Sequence, residues 1–176
     1  VNFLSEEKNI DDKKLFEVYS RDFTLNTLHK RLLDDEILDP TGFGKEDISN
    51  RLIRTTAPVD ITIPDDYRRI YRAINFASRL NFNIDSSIID FVKNNRDKFT
   101  GENKWVLKDA FITSIIAESI TSNSDITIHY LSEMNLLPTV PLVGIFKDEL
   151  IKRRLIGKYL DDAINLNEYV LNDLAL

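Results

Sequence analysis

An α+β beginning followed by an all-helical remainder is the fold class that this sequence predicts. Three observations predict it. In the first third, short apolar runs flank "DPTGFG", residues 39–44, a cluster of turn-forming residues. Beyond Pro64 the apolar residues recur at helical spacing. The breaks that follow, at Gly101, Pro138 and Pro141, fall between helical stretches rather than inside them.

The elements can be justified in order. "VNFL", at the start, alternates as a short strand does. The stretch from Asn9 to Asp35 reads mostly helical, with Phe23, Leu28 and Leu32 near helical spacing. Ile37 and Leu38 suit a strand, Pro40, Gly42 and Gly44 a hairpin turn, and "NRLIRTT", residues 50–56, the returning strand. After Pro64, Ile70, Ala73, Ile74, Ala77 and Leu80 form an apolar helix stripe, with Asp65 and Asp66 in the first turn, where negative charge favours a helix start. Asp85 is a candidate N-cap for a helix through Ile88, Ile89 and Val92. "WVLKDAFITSIIAESI" is amphipathic, and residues 124–137 and 146–174 supply at least two more helices. The segments implied are 1–62, 63–103 and 104–176.

Composition bounds the function. The 176 residues are 43% hydrophobic and 30% charged, ordinary for a soluble globular chain. No apolar run reaches the ~18 residues of a membrane span. Cysteine is absent, which excludes disulfides and thiolate metal sites and fits a reducing, cytoplasmic setting. The first residue is Val1, so the chain is expected to begin inside a longer gene product or to be processed. A net charge of −6 argues against a general nucleic-acid binder. Local basic clusters remain at Arg68–Arg72 and Lys152–Arg154. For the latter, a solvated face and a contact with RNA phosphates are both open.

The acidic chain nevertheless sets Arg68, Arg69, Arg72 and Arg79 on one helix behind two aspartates, in "PDDYRRIYRAINFASRL". Asp65, Arg69, Arg72, Phe76 and Arg79 would share one side of it, opposite the apolar stripe. Three readings are open. The face is solvated and laced with local ion pairs; or its guanidinium forks hold phosphate; or Asp66 and Arg69 hold a nucleobase edge. In the last, a carboxylate only accepts hydrogen bonds and a guanidinium only donates. Cytosine offers an amine beside the acceptors N3 and O2, and adenine an amine beside N1, whereas uracil and guanine reverse the order. An Asp/Arg pair therefore favours C and A with no template.

"DDYRRIYRAINFASRL" resembles the nucleotide-selecting motif, acidic-Asp-x-x-Arg-x-x-Arg-Ala, of the class II (bacterial-type) tRNA nucleotidyltransferases, a family of CCA-adding enzymes and poly(A) polymerases. "RDFTLN", Arg21 to Asn26, is similar to that family's Arg-Arg-Asp-Phe-Thr-x-Asn motif, and "ILDPTGFGKEDISNRLIRT" to the segment between the two. "HYLSEMNLLPTV" is a weaker match to a helical segment of the body. The likeness covers about residues 19 to 100, fading towards 146, and three motifs in this order make it specific.

The resemblance implies a partial nucleotidyltransferase head over 1–62, a helical neck over 63–103 and a helical body over 104–176. It implies template-independent addition of C and/or A, from CTP and ATP, to an RNA 3′ end, with tRNA expected. Arg21 would contact the triphosphate, Asp22 and Asn26 would shape the pocket, Asp66 and Arg69 would read the base, and Arg72 would reach base or phosphates. Mg²⁺ is implied for the complete enzyme, with no ligands in this chain. The family's Gly-Gly loop and Asp-x-Asp metal pair have no counterpart here: none of the five glycines is adjacent to another. An inactive fragment, a chain completed by a partner, and a non-catalytic RNA- or protein-binding relative are the resulting expectations.

Other departures are local. Ser20 stands for a family arginine, Asn75 for a third helix arginine, and Asp65 for a glutamate. Asp34 with Glu36 reads as solvated turn chemistry, His29 and His129 as isolated, and Trp105 as core. Without the resemblance, Asp22 would read as a helix cap. "GFG" lacks the lysine-serine of a phosphate loop.

Overall fold

A computed structural model describes residues 12–99 and 109–136. "VNFL", Trp105 and the Lys152–Arg154 cluster lie outside the described residues.

Helix α1 spans Asp12–Ser20 and stops there. The longer helix expected through Asp35 does not form. Residues 22–24 instead run extended against residues 54–56, with a Phe23–Thr55 bridge, Thr24 N–H donating to Arg54 O (2.9 Å) and Thr56 N–H to Asp22 O (3.3 Å). Phe23, fully buried, meets the Phe76 ring edge-on at 5.7 Å. Long-range pairing around a buried aromatic overrides the local period. A 3₁₀ turn, Thr24–Asn26, follows.

Strands β1 (His29–Lys30) and β2 (Ile37–Leu38) form an antiparallel pair, with His29 opposite Leu38. Asp34 and Glu36 both engage Arg31 at its exposed turn. Residues 39–43 then lead into helix α2, Gly44–Ser49, not into a returning strand. Gly42 takes φ 75°, as a turn glycine. A Cβ on Gly44 would stand 2.7 Å from Thr24 O, so α2 lies directly under the 3₁₀ turn.

Strand β3, Leu52–Ile53, pairs parallel with β4, Asn83–Ile84, rather than with β2. Burial explains the choice: Ile53 and Ile84 are 0% and 4% exposed, against 40% and 39% for Ile37 and Leu38. Between β3 and β4 run α3 (Val59–Asp65) and α4 (Arg68–Leu80). The helix expected to start near Pro64 is thus two helices. Pro64 lies inside α3, and Asp66 breaks the path with extended φ −153°, ψ 102°. Asp65 ends α3 instead of opening α4.

On α4, Ile70, Ala73, Ile74 and Ala77 are fully buried as the stripe requires. Tyr71, Asn75, Ser78 and Arg69 are buried too, while Leu80 is exposed. The buried arc is wider than the apolar stripe because α4 is covered by both the 22–24 segment and a later helix, α6 (Asp109–Glu133). It ends at Asn81 in the left-handed region (φ 57°). Helix α5, Ser86–Asn94, is capped by Asp85 as expected, the carboxylate accepting from Ser87 N–H at 2.9 Å. Helix α6, Asp109–Glu133, is kinked at Asn123, whose Oδ1 accepts from the N–H groups of Asp125 and Ile126 and re-caps the second half. His129 is exposed beside Glu133.

The core lies between α4 and α6, where Ile112, Ile116, Ile120 and Leu131 meet the buried face of α4. Each such side chain contributes about 1.5–3 kcal/mol through burial. Asn75 Nδ2 donates to Ser119 Oγ (3.1 Å), and the Ser78 and Thr127 hydroxyls meet at 2.7 Å, so polar atoms in this seam are satisfied. Among the described residues, no helix is long and apolar enough to cross a membrane.

Candidate functional site

The site forms where the 21–26 turn faces the α3–α4 joint. Phe23 packs inward on Phe76, and Asp22 beside it presents its carboxylate to Arg72 of the same helix, α4. Asp22 is only 4% exposed and is no helix cap. Asn26 Nδ2 donates to its Oδ1 (2.6 Å) and Arg72 Nε to its Oδ2 (2.5 Å). Arg21 Nη1 donates to Asn26 O (3.1 Å), and its half-exposed side chain lies 3.7 Å from Glu17.

Arg69, on the side of α4 opposite the apolar stripe, is buried. Its Nη1 donates to Thr62 O (2.7 Å), its Nη2 to Ser20 O (2.8 Å), and Asp65 Oδ2 lies 3.1 Å from Nη2. The helical wheel misses this because the 21–26 turn folds over that side of α4. Phe76 is partly buried on Phe23 for the same reason, while Arg79 pairs with Glu118 at the surface. Asp66, one turn before Arg69, is engaged by its neighbour: Arg68 Nε reaches Oδ1 and Nη2 reaches Oδ2, both at 2.8 Å. Burial alone would raise the Asp66 carboxyl. The Arg68 hydrogen bonds and the charges of Arg68 and Arg69 outweigh it and hold the group below the usual carboxylate value.

Under the turn lies a second polar group that the sequence did not disclose. Thr24 Oγ1 donates to Asp47 Oδ2 at 2.5 Å, and Asp47 is fully buried. Arg54 Nη2 lies 2.9 Å from Asp47 Oδ1, close enough for an ion pair but not aligned as a hydrogen bond. The Arg54 guanidinium also sits over the Phe43 ring at 5.0 Å. Thr56 Oγ1 donates to Arg21 O (2.7 Å). These contacts fix the turn from below.

The result is a cavity of about 250 Å³ lined by Ser20, Arg21, Asp22, Asn26, Asp66, Arg69 and Arg72. All six candidate residues line it, joined by Ser20. That volume is a little below the ~300–1,000 Å³ of complete small-molecule sites, and suits part of a nucleotide rather than all of it. Three guanidinium groups face two carboxylates, an excess of positive charge suited to an anion. Of its lining residues, Arg21 and Arg72 have half-exposed side chains. Among the described residues no three His, Asp or Glu side chains converge as a metal site, so no step through a metal is assigned to them. Ser20 was overlooked because its contribution is a backbone carbonyl, which leaves no mark in a side-chain pattern. Asp47 was overlooked because a buried aspartate reads like a surface one.

A profile of the poly(A) polymerase head domain matches residues 5–54, which carry the 21–26 turn and α2. A tRNA nucleotidyltransferase of Schizosaccharomyces pombe is 38% identical over 93 residues, 53% of this chain and 19% of that protein. These likenesses support a member of the tRNA nucleotidyltransferase/poly(A) polymerase family. A CCA-adding enzyme of Staphylococcus epidermidis is 36% identical over 97 residues, 49% of this chain and 24% of its own length. The chain thus spans a fifth to a quarter of these relatives. The Bacillus stearothermophilus CCA-adding enzyme, solved with CTP, superposes with a TM-score of 0.63 at 23% identity, covering 73% of this chain and 31% of that one. The Thermotoga maritima CCA-adding enzyme, solved with tRNA, gives 0.53 at 21% identity, over 81% and 30%. At these identities the likeness is one of fold: a small strand-and-helix part followed by helices, as this chain has.

Proposed function

We propose that residues 1–176 form the nucleotide-selecting part of a template-independent RNA nucleotidyltransferase. It would serve the addition of C, A or both, from CTP and ATP, to an RNA 3′ end, with tRNA as the expected RNA. One observation carries this reading: a single cavity gathers Arg21, Asp22, Asn26, Asp66, Arg69 and Arg72. In it, Asp66 accepts a hydrogen bond from the exocyclic amine of cytosine or adenine, and Arg69 donates to the adjacent ring acceptor. Uracil presents a carbonyl to the carboxylate and an N–H to the guanidinium, and is refused. Arg21 and Arg72 meet the triphosphate, and Asp22 with Asn26 holds Arg72 in place. Residues 1–62 act as head, 63–103 as neck and 104–176 as body.

The transfer step is not assigned to these residues. It needs an RNA 3′-hydroxyl to attack the α-phosphorus with loss of pyrophosphate, and the family's Mg²⁺ would neutralise the attacking and leaving oxygens. No Asp-x-Asp pair stands in the sequence to hold it.

The test is nucleotide binding by the chain. CTP or ATP should bind more tightly than UTP, and Arg69→Ala should cost roughly 10- to 100-fold, the span of a hydrogen bond to a charged group. Equal binding of all four nucleotides sinks the reading. Incubation with tRNA, CTP and Mg²⁺ should yield no extended RNA, and robust labelling would contradict the division of labour. A second reading draws on the bonds from Arg69 to Thr62 O and Ser20 O: the residue is a strut. Arg69→Ala would then lower the melting temperature and leave nucleotide preference, where present, unchanged.

A further inference from the structure

Asp66 stands alone in the short extended joint between α3 and α4, its side chain 27% exposed at the edge of the cavity. Its carboxylate is already in use. The two side-chain contacts from Arg68 are joined by the Arg68 backbone N–H, which donates to Oδ1 at 3.0 Å. A carboxylate has about four acceptor positions. Arg68 therefore takes three, and only one, on Oδ2, remains. Arg68 itself is absent from the cavity lining, and its side chain is 56% exposed. Its guanidinium carbon also lies 5.8 Å from the centre of the Phe111 ring on α6, a second attractive seat for a cation.

We infer that Arg68 is a specificity-determining residue that competes with a base amine for Asp66, and that an amine-bearing base binds by displacing its guanidinium towards Phe111. The inference rests on the reading of Asp66 as the base-selecting carboxylate and gives a role to an arginine which that reading leaves idle. Because the Arg68 fork holds both oxygens, an amine that reaches Asp66 shares Oδ2 with that fork or displaces it. Uracil, with no amine, has nothing to gain from its departure. Arg68 thus narrows the gap between the two classes of base. The gate is cheap to open, because an exposed ion pair is weakly held.

The test uses nucleosides, which carry no phosphate and so are blind to the lost positive charge. Cytidine and uridine are titrated by NMR into the full chain and into Arg68→Ala, Arg68→Lys, Asp66→Ala and the Arg68→Ala/Asp66→Ala double variant. Arg68→Ala should bind cytidine roughly two- to five-fold more tightly, the span that an exposed ion pair commands, with uridine unchanged. Arg68→Lys, which keeps charge but loses the fork, should fall between, and it preserves the test if the alanine variant folds poorly. In the double variant the gain should vanish. If Asp66→Ala weakens cytidine binding but Arg68→Ala does not strengthen it, the competition is wrong and the role of Asp66 stands. If the parent chain does not bind cytidine, or Asp66→Ala leaves its binding unchanged, the base-selecting reading falls and the inference with it.

Discussion

Arg69 and Ser78 are both buried polar residues of α4, and they are buried in different ways. Ser78, near the carboxyl end, bonds Ile74 O one turn back and the Thr127 hydroxyl, inside a seam of isoleucines. Arg69, near the amino end, reaches carbonyls 7 and 49 residues away and keeps a wall of the cavity. One end, with the contacts of Ser78, is sealed and neutral. The other is charged and open, and its partners resemble the groups a nucleotide would bring. The difference teaches that one helix can anchor the fold with its second half and expose exchangeable chemistry with its first.

The comparison breaks most visibly at the sealed end. Ile74→Ala should cost about 2–5 kcal/mol, read by urea or thermal unfolding. Nucleotide affinity of the molecules that remain folded should stay within about two-fold, since Ile74 lies on the side of α4 away from the cavity; a larger change would mean that the two ends are coupled. Asp47→Ala should come next. It leaves Arg54 and Thr24 without their partner, for about 2–3 kcal/mol, less than a wholly buried pair because Arg54 is 33% exposed. Here CTP affinity should fall as well, because the 21–26 turn loses its support. Intact affinity would show that the turn holds itself.

The smallest effect is at Asp39. Burial alone would raise its carboxyl, but the backbone N–H of Lys45, the Thr41 hydroxyl and the N–H groups of Gly44 and Gly42 together hold it below the ordinary 3.8. A lowered folded value stabilises the protein above the unfolded value and loses that contribution as pH falls through the folded one. Wild type should therefore exceed Asp39→Asn in stability at pH 5 and above, and the margin should shrink below about pH 3.8. A margin independent of pH would assign the contribution to packing instead.

Among the described residues, the helices beyond Pro64 were readable because amphipathic spacing survives tertiary packing, as Ile70, Ile74, Ile88 and Val92 show. Asp85 was readable because a cap acts within three residues. The segment from Arg21 to Lys30 was not: its conformation is set by residues 54–56, and no local period records that. The same holds for β3, whose choice of β4 over β2 depends on burial decided elsewhere. Of the cavity's members, Asp66, Arg69 and Arg72 were visible in the arginine-bearing stretch, while Arg21, Asp22 and Asn26 came through motif resemblance, which lists residues without their contacts. Hence the occupation of Asp66 by Arg68, and of Arg69 by two carbonyls, had to come from coordinates.

The Arg72–Asp22 contact joins residues 50 apart in the chain. Closing so long a loop is slow compared with winding a helix, so α4 and α5 would take shape while the cavity is still unmade. On the way out, the order reverses. Gentle heating should dissolve the cavity while much of the helical signal persists, and a binding assay would register damage before circular dichroism does.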